Sequence, residues 1–373
     1  MKIAGIVALA MASAIACLPG SALSAGDPRC GLSAEEIYRQ AAPSVVEVFS
    51  LTIDRFRVAD RVLPSFGSGF YLTDGTVATN YHVVADAKTV VVFDDWGAWD
   101  ADVIGTDPLL DIALLRLQIM VDPPEGLEIA GAEGIGVGQR AFAVGFPLGL
   151  GKTITQGIVT GLGRVIPRTT WDWLSPMIQT DATVNPGNSG GPLLDDCGRV
   201  LGMVSRSIHG PRADNVGFAI PGDVLTAVFG ELAAGGTVAR PWHGLYGKMV
   251  TPPILMILGV PFEEWAATTG FLVETVEPGS AADQAGLKGG DWPVVWGGTQ
   301  YLIGGDIITH VDDSRISDLD TALGVVKGLK VGQSVKVRWL RNGEEFEATV
   351  TLPRRPVLPA DLEQYRTGAS DDR

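Results

Sequence analysis

The sequence predicts a mainly β protein of more than one domain, and two observations support this. Apolar residues fall largely in short runs or alternating patterns separated by turn residues, including the hairpin pairs Asp74-Gly75 and Asn342-Gly343. The length of 373 residues predicts two or three domains, each large enough to bury a core. Helical spacing is found in three stretches, at residues 223–234, 280–287 and 318–329.

The most informative segment is residues 181–194, which read DATVNPGNSGGPLL. Ser189 lies among glycines at positions 187, 190 and 191, which can adopt positive φ and let a substrate carbonyl approach the main chain. If the loop turns sharply, the amides of Gly187 and Ser189 can converge on one point, as stabilisation of an oxyanion requires. Taken alone, such a segment is more often a structural turn, so the interpretation as a nucleophile loop depends on residues elsewhere.

Two upstream side chains supply those residues. His82 is one of four histidines and follows a predicted hairpin whose apolar positions include Phe70 and Val77. Asp111 precedes the apolar run at residues 112–115, which is typical of a buried strand. A carboxylate at the head of such a strand needs a partner, and orienting an imidazole would provide one.

The chain order His82, Asp111, Ser189 discriminates between the folds that carry these three roles, and it fits a trypsin-like double β-barrel. Residues 187–191 also match the G-x-S-x-G pattern of α/β-hydrolases. That fold needs a helix directly after the serine and a histidine last in the chain, whereas two glycines and a proline follow the serine here. The barrel is therefore the preferred interpretation.

Five segments resemble, in sequence and in order, the HtrA/Deg family of serine endopeptidases, and together they span most of residues 35–235. They are TNYHVV (79–84), DIALLRL (111–117), AVGFPLGLGKTITQGIVT (143–160), IQTDATVNPGNSGGPLLD (178–195) and VGFAIP (216–221). The resemblance implies a trypsin-like protease domain of two six-stranded β-barrels that needs no cofactor. It implies that His82 is the general base, Asp111 its orienting partner and Ser189 the nucleophile. It also implies that the oxyanion site is formed by the amides of Gly187, Asn188 and Ser189.

The substrate pocket can be inferred from its expected walls. In trypsin-like folds the floor of the primary pocket lies about six residues before the nucleophile, at Thr183 in this chain, which carries no charge to attract lysine or arginine. The segment with Val216, Gly217 and Phe218 resembles the strand that pairs with substrate and shapes the pocket. We therefore expect small or medium aliphatic side chains at P1. Main-chain pairing with an extended peptide requires a locally unfolded substrate, so unfolded polypeptides are the expected substrate class.

A second domain is predicted after a linker. Its strands GFLVETV (270–276) and GGDIITHV (304–311) and the hairpin around Asn342-Gly343, with two helical stretches, resemble a bacterial PDZ domain. The resemblance implies a groove for C-terminal or hydrophobic peptides. Its predicted residues are Leu245, Tyr246, Gly247 and Lys248 in the carboxylate loop and Leu319 and Leu323 on the helix wall.

The second domain differs from the usual family pattern at two places. The family usually has an apolar residue at the position of Lys248, so this lysine either attracts the peptide carboxylate or marks a silent groove. The second domain also contains an insertion that a minimal PDZ domain does not need. It carries Trp292 and Trp296, which we expect to fill a core rather than form a partner surface.

The predicted boundaries are a protease domain at 26–235, a linker at 236–242, the PDZ domain at 243–353 and a disordered tail at 354–373.

The net charge limits the possible partners, and the N-terminal residues indicate the cellular compartment. The net charge of −15 argues against nucleic acid and anionic membrane surfaces as partners. Residues 1–25 carry a lysine, a long apolar block and small residues, which predict a signal peptide cleaved after Ser24 and export to the periplasm or cell envelope. Acylation at Cys17 and an uncleaved anchor are the alternatives.

Cysteine usage fits an exported protein. After signal removal Cys30 and Cys197 remain, and an even pair in an oxidising compartment can form a disulfide, although two free thiols are the alternative. Neither cysteine has a second ligand at zinc spacing, so no metal site is expected.

Two function classes follow. The first is an ATP-independent serine endopeptidase that degrades unfolded or damaged proteins, and the second is a proteolytically silent chaperone or peptide-binding scaffold. The presence of all three catalytic residue types favours the enzyme. Family resemblance further implies a homotrimer or a multiple of trimers, assembled through the N-terminal segment near Ile37 and Tyr38. Residues 51–65 correspond to a loop that is long in some relatives and short here, which leaves the regulatory architecture open.

Overall fold

The fold class is confirmed: two closed six-stranded β-barrels are followed by a smaller PDZ domain. The computed structural model describes residues 30–53, 61–119, 124–131, 135–164, 177–210, 213–236 and 238–356. In the first barrel the strands are ordered β1-β2-β3-β6-β5-β4, and antiparallel pairing of β4 with β1 closes it. Its strands are β1 (Val45–Ile53), β2 (Val62–Tyr71), β3 (Val77–Thr79), β4 (Thr89–Phe93), β5 (Ala98–Asp107) and β6 (Ile112–Leu117).

The second barrel has the order β10-β11-β12-β9-β8-β7 and is closed by pairing of β7 with β10. Its strands are β7 (Arg140–Gly145), β8 (Thr153–Arg164), β9 (Met177–Thr180), β10 (Pro192–Leu194), β11 (Val200–Gly210) and β12 (Ala213–Pro221). Each barrel removes its own strand edges by closure, so the short, apolar strands that the sequence predicts are stable without a covering layer.

Short helices connect and flank the barrels. They are α1 (Ala34–Ala41), α2 (Tyr81–Val84) and α3 (Gly222–Ala233), with 3-10 turns at Ala42–Ser44 and Pro147–Gly149. Helix α1 begins with a capping box in which Ser33 and Glu36 satisfy each other's backbone N–H groups. Helix α3 lies within one residue of its predicted bounds, 223–234, because Gly235 follows it with a φ of +85°.

The largest core cluster draws apolar side chains from both barrels and from α1 and α3. Ile37 of α1 is fully buried in this cluster, and the Tyr38 hydroxyl donates to the carbonyl of Lys152. The side chain of Ile37 thus packs against the core of its own chain. Strands β1 and β2 continue into the region of residues 51–65, where Leu51 pairs with Pro64 and Ile53 with Val62.

The PDZ domain contains a sheet in the order β13-β14-β17-β19-β20, with β18 paired to β17, and a separate hairpin β15-β16. Its strands are β13 (Leu245–Met249), β14 (Phe271–Val276), β15 (Trp292–Trp296), β16 (Thr299–Ile303), β17 (Ile307–Val311), β18 (Ser314–Arg315), β19 (Ser334–Arg341) and β20 (Glu344–Thr351). Its helices are α4 (Pro252–Ile257), α5 (Trp265–Thr268), α6 (Ala281–Gln284) and α7 (Leu319–Gly328), with a 3-10 turn at Phe262–Glu264.

The β19-β20 hairpin has the turn that its sequence predicts. Asn342 and Gly343 both have positive φ, at +52° and +82°, as a type I′ turn requires. The alternating residues of the two strands face each other across the ladder, with Val337 opposite Ala348 and Trp339 opposite Phe346.

The expectation that Trp292 and Trp296 fill a core is wrong. They are 67% and 53% exposed on the hairpin β15-β16, which contacts the rest of the domain chiefly through Val294, Tyr301 and Ile303. An isolated two-stranded ribbon has too little inner surface to cover every apolar side chain, so the tryptophans at its two ends stay in solvent.

The chain segment after the PDZ domain is ordered further than predicted. The N–H of Arg355 donates to the carbonyl of Arg240 at 2.8 Å, and Arg354 forms a β-bridge with Pro241. The predicted disordered tail is therefore wrong for residues 354–356, because they pair with the linker, while residues 357–373 lie outside the described residues. Arg240 also forms an ion pair with Asp107 of the first barrel.

A disulfide joins Cys30 to Cys197, 167 residues apart, and attaches the segment before α1 to the turn after β10. Arg140 supports the same junction by donating to the carbonyl of Leu32 and to the carboxylate of Asp196. A cross-link that closes so long a loop typically contributes about 2–5 kcal/mol by restricting the unfolded chain.

Residues 1–29 lie outside the described residues, so the expectations about the signal peptide and Cys17 concern a part of the chain that is not described. None of the helices in the described ranges is long and apolar enough to cross a bilayer.

Candidate active site

His82 and Asp111 form a close pair between the ends of two strands of the first barrel. The Nδ1 atom of His82 lies 2.8 Å from Oδ2 and 3.0 Å from Oδ1 of Asp111, and the backbone N–H of His82 donates to Oδ1 at 2.9 Å. The sequence predicts His82 at a strand end, and it lies in α2, directly after β3. The carboxylate thus fixes both the main chain and the ring of the histidine, leaving Nε2 as the reactive nitrogen.

The main chain holds Asp111 in this position. Asp111 has a φ of +59°, a left-handed conformation that aspartate adopts more readily than most residues. Its carbonyl accepts hydrogen bonds from the Nδ2 of Asn80 at 2.8 Å and from the N–H of Tyr81 at 3.1 Å. The strand end and the helix that carries His82 are therefore held together by one side-chain and one backbone hydrogen bond.

Ser205, at the end of an apolar run in β11, connects the two barrels at this point. Its hydroxyl donates to Oδ2 of Asp111 at 2.9 Å, and its carbonyl accepts from the hydroxyl of Ser189 at 3.1 Å. The three predicted catalytic residues are thus linked in one hydrogen-bonded chain through a residue that sequence reasoning missed. The only available signal was a small polar side chain directly after the buried run at residues 200–204.

The environment of Asp111 keeps it ionised. Burial on its own raises the pKa of this carboxyl, since the side chain is almost inaccessible to water. The charge and hydrogen bonds of His82, with the charge of Arg206, more than offset burial, so the pKa lies below its ordinary value. Because the pKa is lowered in the folded protein, these interactions stabilise the fold at neutral pH and are lost as the pH falls through the folded value.

The loop that carries Ser189 contains a tight turn. The N–H of Asn188 donates to the carbonyl of Asn185 at 3.0 Å, and Gly187 at the third position has a φ of +99°, as a type II turn requires. The amide of Asn188 is engaged in this turn. Of the three amides expected at the oxyanion site, those of Gly187 and Ser189 are the two that the turn hydrogen bond does not use.

The strand β12 divides the predicted pocket residues between its two faces. Val216 and Phe218 belong to the main core cluster, and Phe218 is only 4% exposed. Side chains alternate along a strand, which sends Gly217 to the opposite face. A Cβ atom at Gly217 would lie 2.7 Å from the Cγ2 of Val184, which is itself buried in a core cluster of the second barrel. The role of Val216, Gly217 and Phe218 as pocket walls stays a prediction. Thr183, beside Val184, is held by a hydrogen bond from the Thr155 hydroxyl to its carbonyl at 2.9 Å.

The predicted peptide groove of the PDZ domain is brought together only in part. An apolar cavity beside α7 is lined by Leu245, Phe271, Ala322, Val325 and Val326 among others. Of the predicted groove residues, Leu245 lines this cavity, whereas Leu319 and Leu323 do not.

Lys248 does not face the cavity. Its Nζ lies 2.7 Å from Oε2 of Glu274 and 5.3 Å from the centre of the Tyr301 ring, on the side of the sheet that carries the hairpin β15-β16. The predicted attraction of a peptide carboxylate by this lysine is therefore wrong, because Glu274 neutralises its charge and directs it away.

His243 lines the same cavity and stays neutral. Burial, followed by the charge of Arg355, lowers the pKa of His243 to about 4. Its Nδ1 accepts the N–H of Leu245 at 3.1 Å and so shapes the start of β13.

Comparison with known proteins bears on both domains. The trypsin-like peptidase domain family matches residues 67–203 and the PDZ domain family matches residues 257–352. The chain is 34% identical to protease Do-like 1, chloroplastic, of Arabidopsis thaliana, over 87% of this chain and 72% of that protein.

Bacterial relatives and solved structures of similar sequence are also proteases. A probable periplasmic serine endoprotease, DegP-like, of Pseudomonas putida is 32% identical over 83% of this chain and 61% of its own length. The chain thus spans less than two thirds of this bacterial relative. The structure of the HtrA-type protease AlgW with a tripeptide has a TM-score of 0.69 and 29% identity, covering 87% of this chain and 98% of that one.

Proposed function

Because the chain belongs to the HtrA/Deg family of serine endoproteases, we propose that it hydrolyses peptide bonds with Ser189 as nucleophile, His82 as general base and Asp111 as the residue that orients the imidazole. The observation that carries this proposal is the continuous hydrogen-bonded chain from Ser189 through Ser205 and Asp111 to His82. Such a chain brings together, from three distant segments, the groups that acyl transfer needs.

The reaction follows from these positions. Ser189 exchanges its hydrogen bond to the Ser205 carbonyl for one to Nε2 of His82, which takes the hydroxyl proton as the oxygen attacks the scissile carbonyl. The imidazolium then gives that proton to the leaving amine, and the acyl group remains on Ser189. Water, deprotonated by the same imidazole, releases the acid and returns the proton to Ser189. The ionised Asp111 stabilises the imidazolium in both halves of the cycle.

The developing oxyanion is held by the amides of Gly187 and Ser189. Two N–H donors aimed at one oxygen are the usual form of such a site, and removing one donor typically costs a factor of about 10²–10³ in turnover. The turn at Asn185 to Asn188 supports this assignment because it uses the intervening amide and not these two.

The substrate is a locally unfolded polypeptide. An extended chain can bind beside the nucleophile by main-chain hydrogen bonds, which a folded substrate cannot supply. In the PDZ domain, β13 is at the edge of its sheet, beside the apolar cavity of α7, and this arrangement favours C-terminal or hydrophobic peptides. With Lys248 turned away, peptide affinity there depends on apolar contacts and backbone amides.

The decisive experiment combines labelling with cleavage mapping. A fluorophosphonate should label Ser189, identified by mass spectrometry of tryptic peptides, and the protein should degrade reduced casein without ATP. Because the predicted pocket residues Thr183, Val216, Gly217 and Phe218 carry no charge, we expect valine, alanine, isoleucine or leucine at P1. A preference for lysine or arginine would contradict the pocket, and failure of both labelling and casein cleavage would contradict the protease.

We also propose that the protein is exported to the cell envelope and assembles as a homotrimer. The relatives named as periplasmic endoproteases and the apolar N-terminal block support export to the cell envelope. The family resemblance supports a homotrimer of the mature chain. Light scattering on the purified mature protein should give the mass of three chains or a multiple of three, and a stable monomer at micromolar concentration would contradict the trimer.

A second function is favoured by one observation. The Ser189 hydroxyl donates to the Ser205 carbonyl, an arrangement that also suits a resting or proteolytically silent scaffold which binds unfolded chains. Substitution of the nucleophile separates the two functions.

A further inference from the structure

Ser68 of β2 touches the nucleophile loop at two points although it belongs to the other barrel. Its side chain is fully buried. Its hydroxyl donates to the carbonyl of Gly187 at 2.6 Å and accepts the N–H of Phe146 at 2.9 Å. Its backbone N–H donates to the carbonyl of Ser189 at 2.7 Å. One residue of the first barrel thus binds the carbonyl groups on both sides of Asn188.

The surrounding chain leaves room for this side chain. A Cβ at Gly145 would lie 2.7 Å from the Ser68 hydroxyl oxygen, and one at Gly191 would lie 3.3 Å from its Cβ. A Cβ at Gly190 would lie 2.1 Å from the Ser68 carbonyl oxygen. The contact at Gly190 is with a backbone atom and cannot be accommodated without displacement of the main chain, so the approach of Ser68 to the loop depends on glycine at this position.

These contacts fix three consecutive peptide groups. The carbonyl of Gly187 accepts from the Ser68 hydroxyl, that of Asn188 from the N–H of Gly191 at 3.0 Å, and that of Ser189 from the N–H of Ser68. In a trans peptide the N–H points opposite to the carbonyl of the preceding residue. Holding the Asn188 carbonyl therefore sets the direction of the Ser189 amide. Holding the Gly187 carbonyl sets the direction of the Asn188 amide, and so limits the backbone rotation that separates the Gly187 and Ser189 amides.

We propose that Ser68 is a positioning residue that keeps the Ser189 loop in the conformation in which the amides of Gly187 and Ser189 face a common point. The proposal rests on the proposed protease function. Without the hydroxyl, the Gly187 carbonyl loses its hydrogen-bond donor. Rotation of that carbonyl towards another donor then lowers the free energy of the loop. Gly187 can make this rotation because glycine has no Cβ to oppose it. The alternative conformers lack the converging amide pair, so the transition state loses stabilisation while ground-state binding does not.

Substitution of Ser68 isolates the side-chain contact, because the backbone N–H bond to Ser189 survives any replacement. For Ser68→Ala we expect kcat on a peptide substrate to fall about 10- to 100-fold, with KM within about twofold of the wild type. A peptide boronic acid, whose tetrahedral adduct uses the same amides, should lose affinity by a similar factor. Affinity for an uncleaved peptide, compared between Ser189→Ala and Ser68→Ala/Ser189→Ala, should not change.

Ser44→Ala is the matched control, because Ser44 is another buried serine whose hydroxyl donates to a backbone carbonyl, that of Glu125, away from the site. It should lose no turnover. If Ser68→Ala does not fold, Ser68→Cys keeps the shape with a weaker donor and should show a smaller loss of the same kind.

Three results bear on the proposal. Turnover of Ser68→Ala within twofold of the wild type would overturn the positioning role and leave the protease intact. A loss of turnover matched by an equal loss of peptide affinity would also overturn it, since Ser68 would then only support the fold of the binding cleft. A wild type that neither cleaves nor labels would overturn the protease function itself, which the Ser68 comparison alone would not.

Discussion

Replacement of Ser189 with alanine should abolish proteolysis. We expect turnover of casein and of a peptide substrate to fall by about 10⁶-fold, because the residue that forms the acyl bond is lost while the pocket and the oxyanion amides remain. Labelling by fluorophosphonate should disappear with it. Affinity for an unfolded polypeptide should be retained, since the Ser189 hydroxyl contributes only its hydrogen bond to the Ser205 carbonyl in the resting structure.

The comparison also decides between the enzyme and the silent scaffold. Ser334→Ala is a suitable control, because its hydroxyl pairs only with Thr351 on the exposed PDZ hairpin. It should cleave casein like the wild type. Equal casein cleavage by wild type and Ser189→Ala would assign the activity to a contaminant or to another residue. Suppression of aggregation by both proteins without cleavage by either would establish the scaffold.

Local patterns predicted a large part of the fold. The Asn342-Gly343 turn, the helix at residues 222–233 and the strand after Asp111 were recognisable because each depends on residues close in sequence. The three catalytic residue types are far apart in sequence, but each has a recognisable local setting and their chain order restricts the fold. The order of His82, Asp111 and Ser189 was therefore sufficient to predict the double barrel.

The remaining features depend on contacts between distant segments. Ser205 and Ser68 are small residues in apolar strands, and their roles come from the meeting of two barrels, which no local pattern encodes. The positions of Val216 and Phe218 have a related cause. A resemblance places a segment beside the substrate, but the alternation of side chains decides which of its residues pack into the core.

The exposed tryptophans show the limit of composition as a guide. Trp292 and Trp296 were expected inside because large aromatic side chains usually bury most of their surface. The hairpin that carries them is paired only with itself among the described residues, so its burial depends on how much of the domain it can reach. The residues around the two tryptophans do not show how closely the hairpin packs against the rest of the domain.

Replacement of Asp111 with asparagine should reduce kcat by about 10⁴-fold, the loss that this change causes in Ser-His-Asp proteases, with little change in fold. The asparagine oxygen can still accept the backbone N–H of His82 in place of Oδ1. The amide nitrogen then replaces Oδ2, which faces both His82 Nδ1 and the Ser205 hydroxyl. A donor at this position makes Nδ1 an acceptor, so the proton moves to Nε2 and the imidazole can no longer take a proton from Ser189.

The measurement is the pH dependence of kcat for both proteins, with thermal unfolding to verify that the variant is folded. Asp195→Asn provides a matched control, because Asp195 is equally buried and accepts the backbone N–H groups of Cys197 and Arg199, but lies outside the site. It should lose far less activity than Asp111→Asn at every pH. If Asp111→Asn stays within tenfold of the wild type at neutral pH, the imidazole takes its tautomer from another group and Asp111 serves the fold alone. A 10⁴-fold loss in a folded variant would instead show that an acceptor behind the ring sets the tautomer that leaves Nε2 free to take the serine proton.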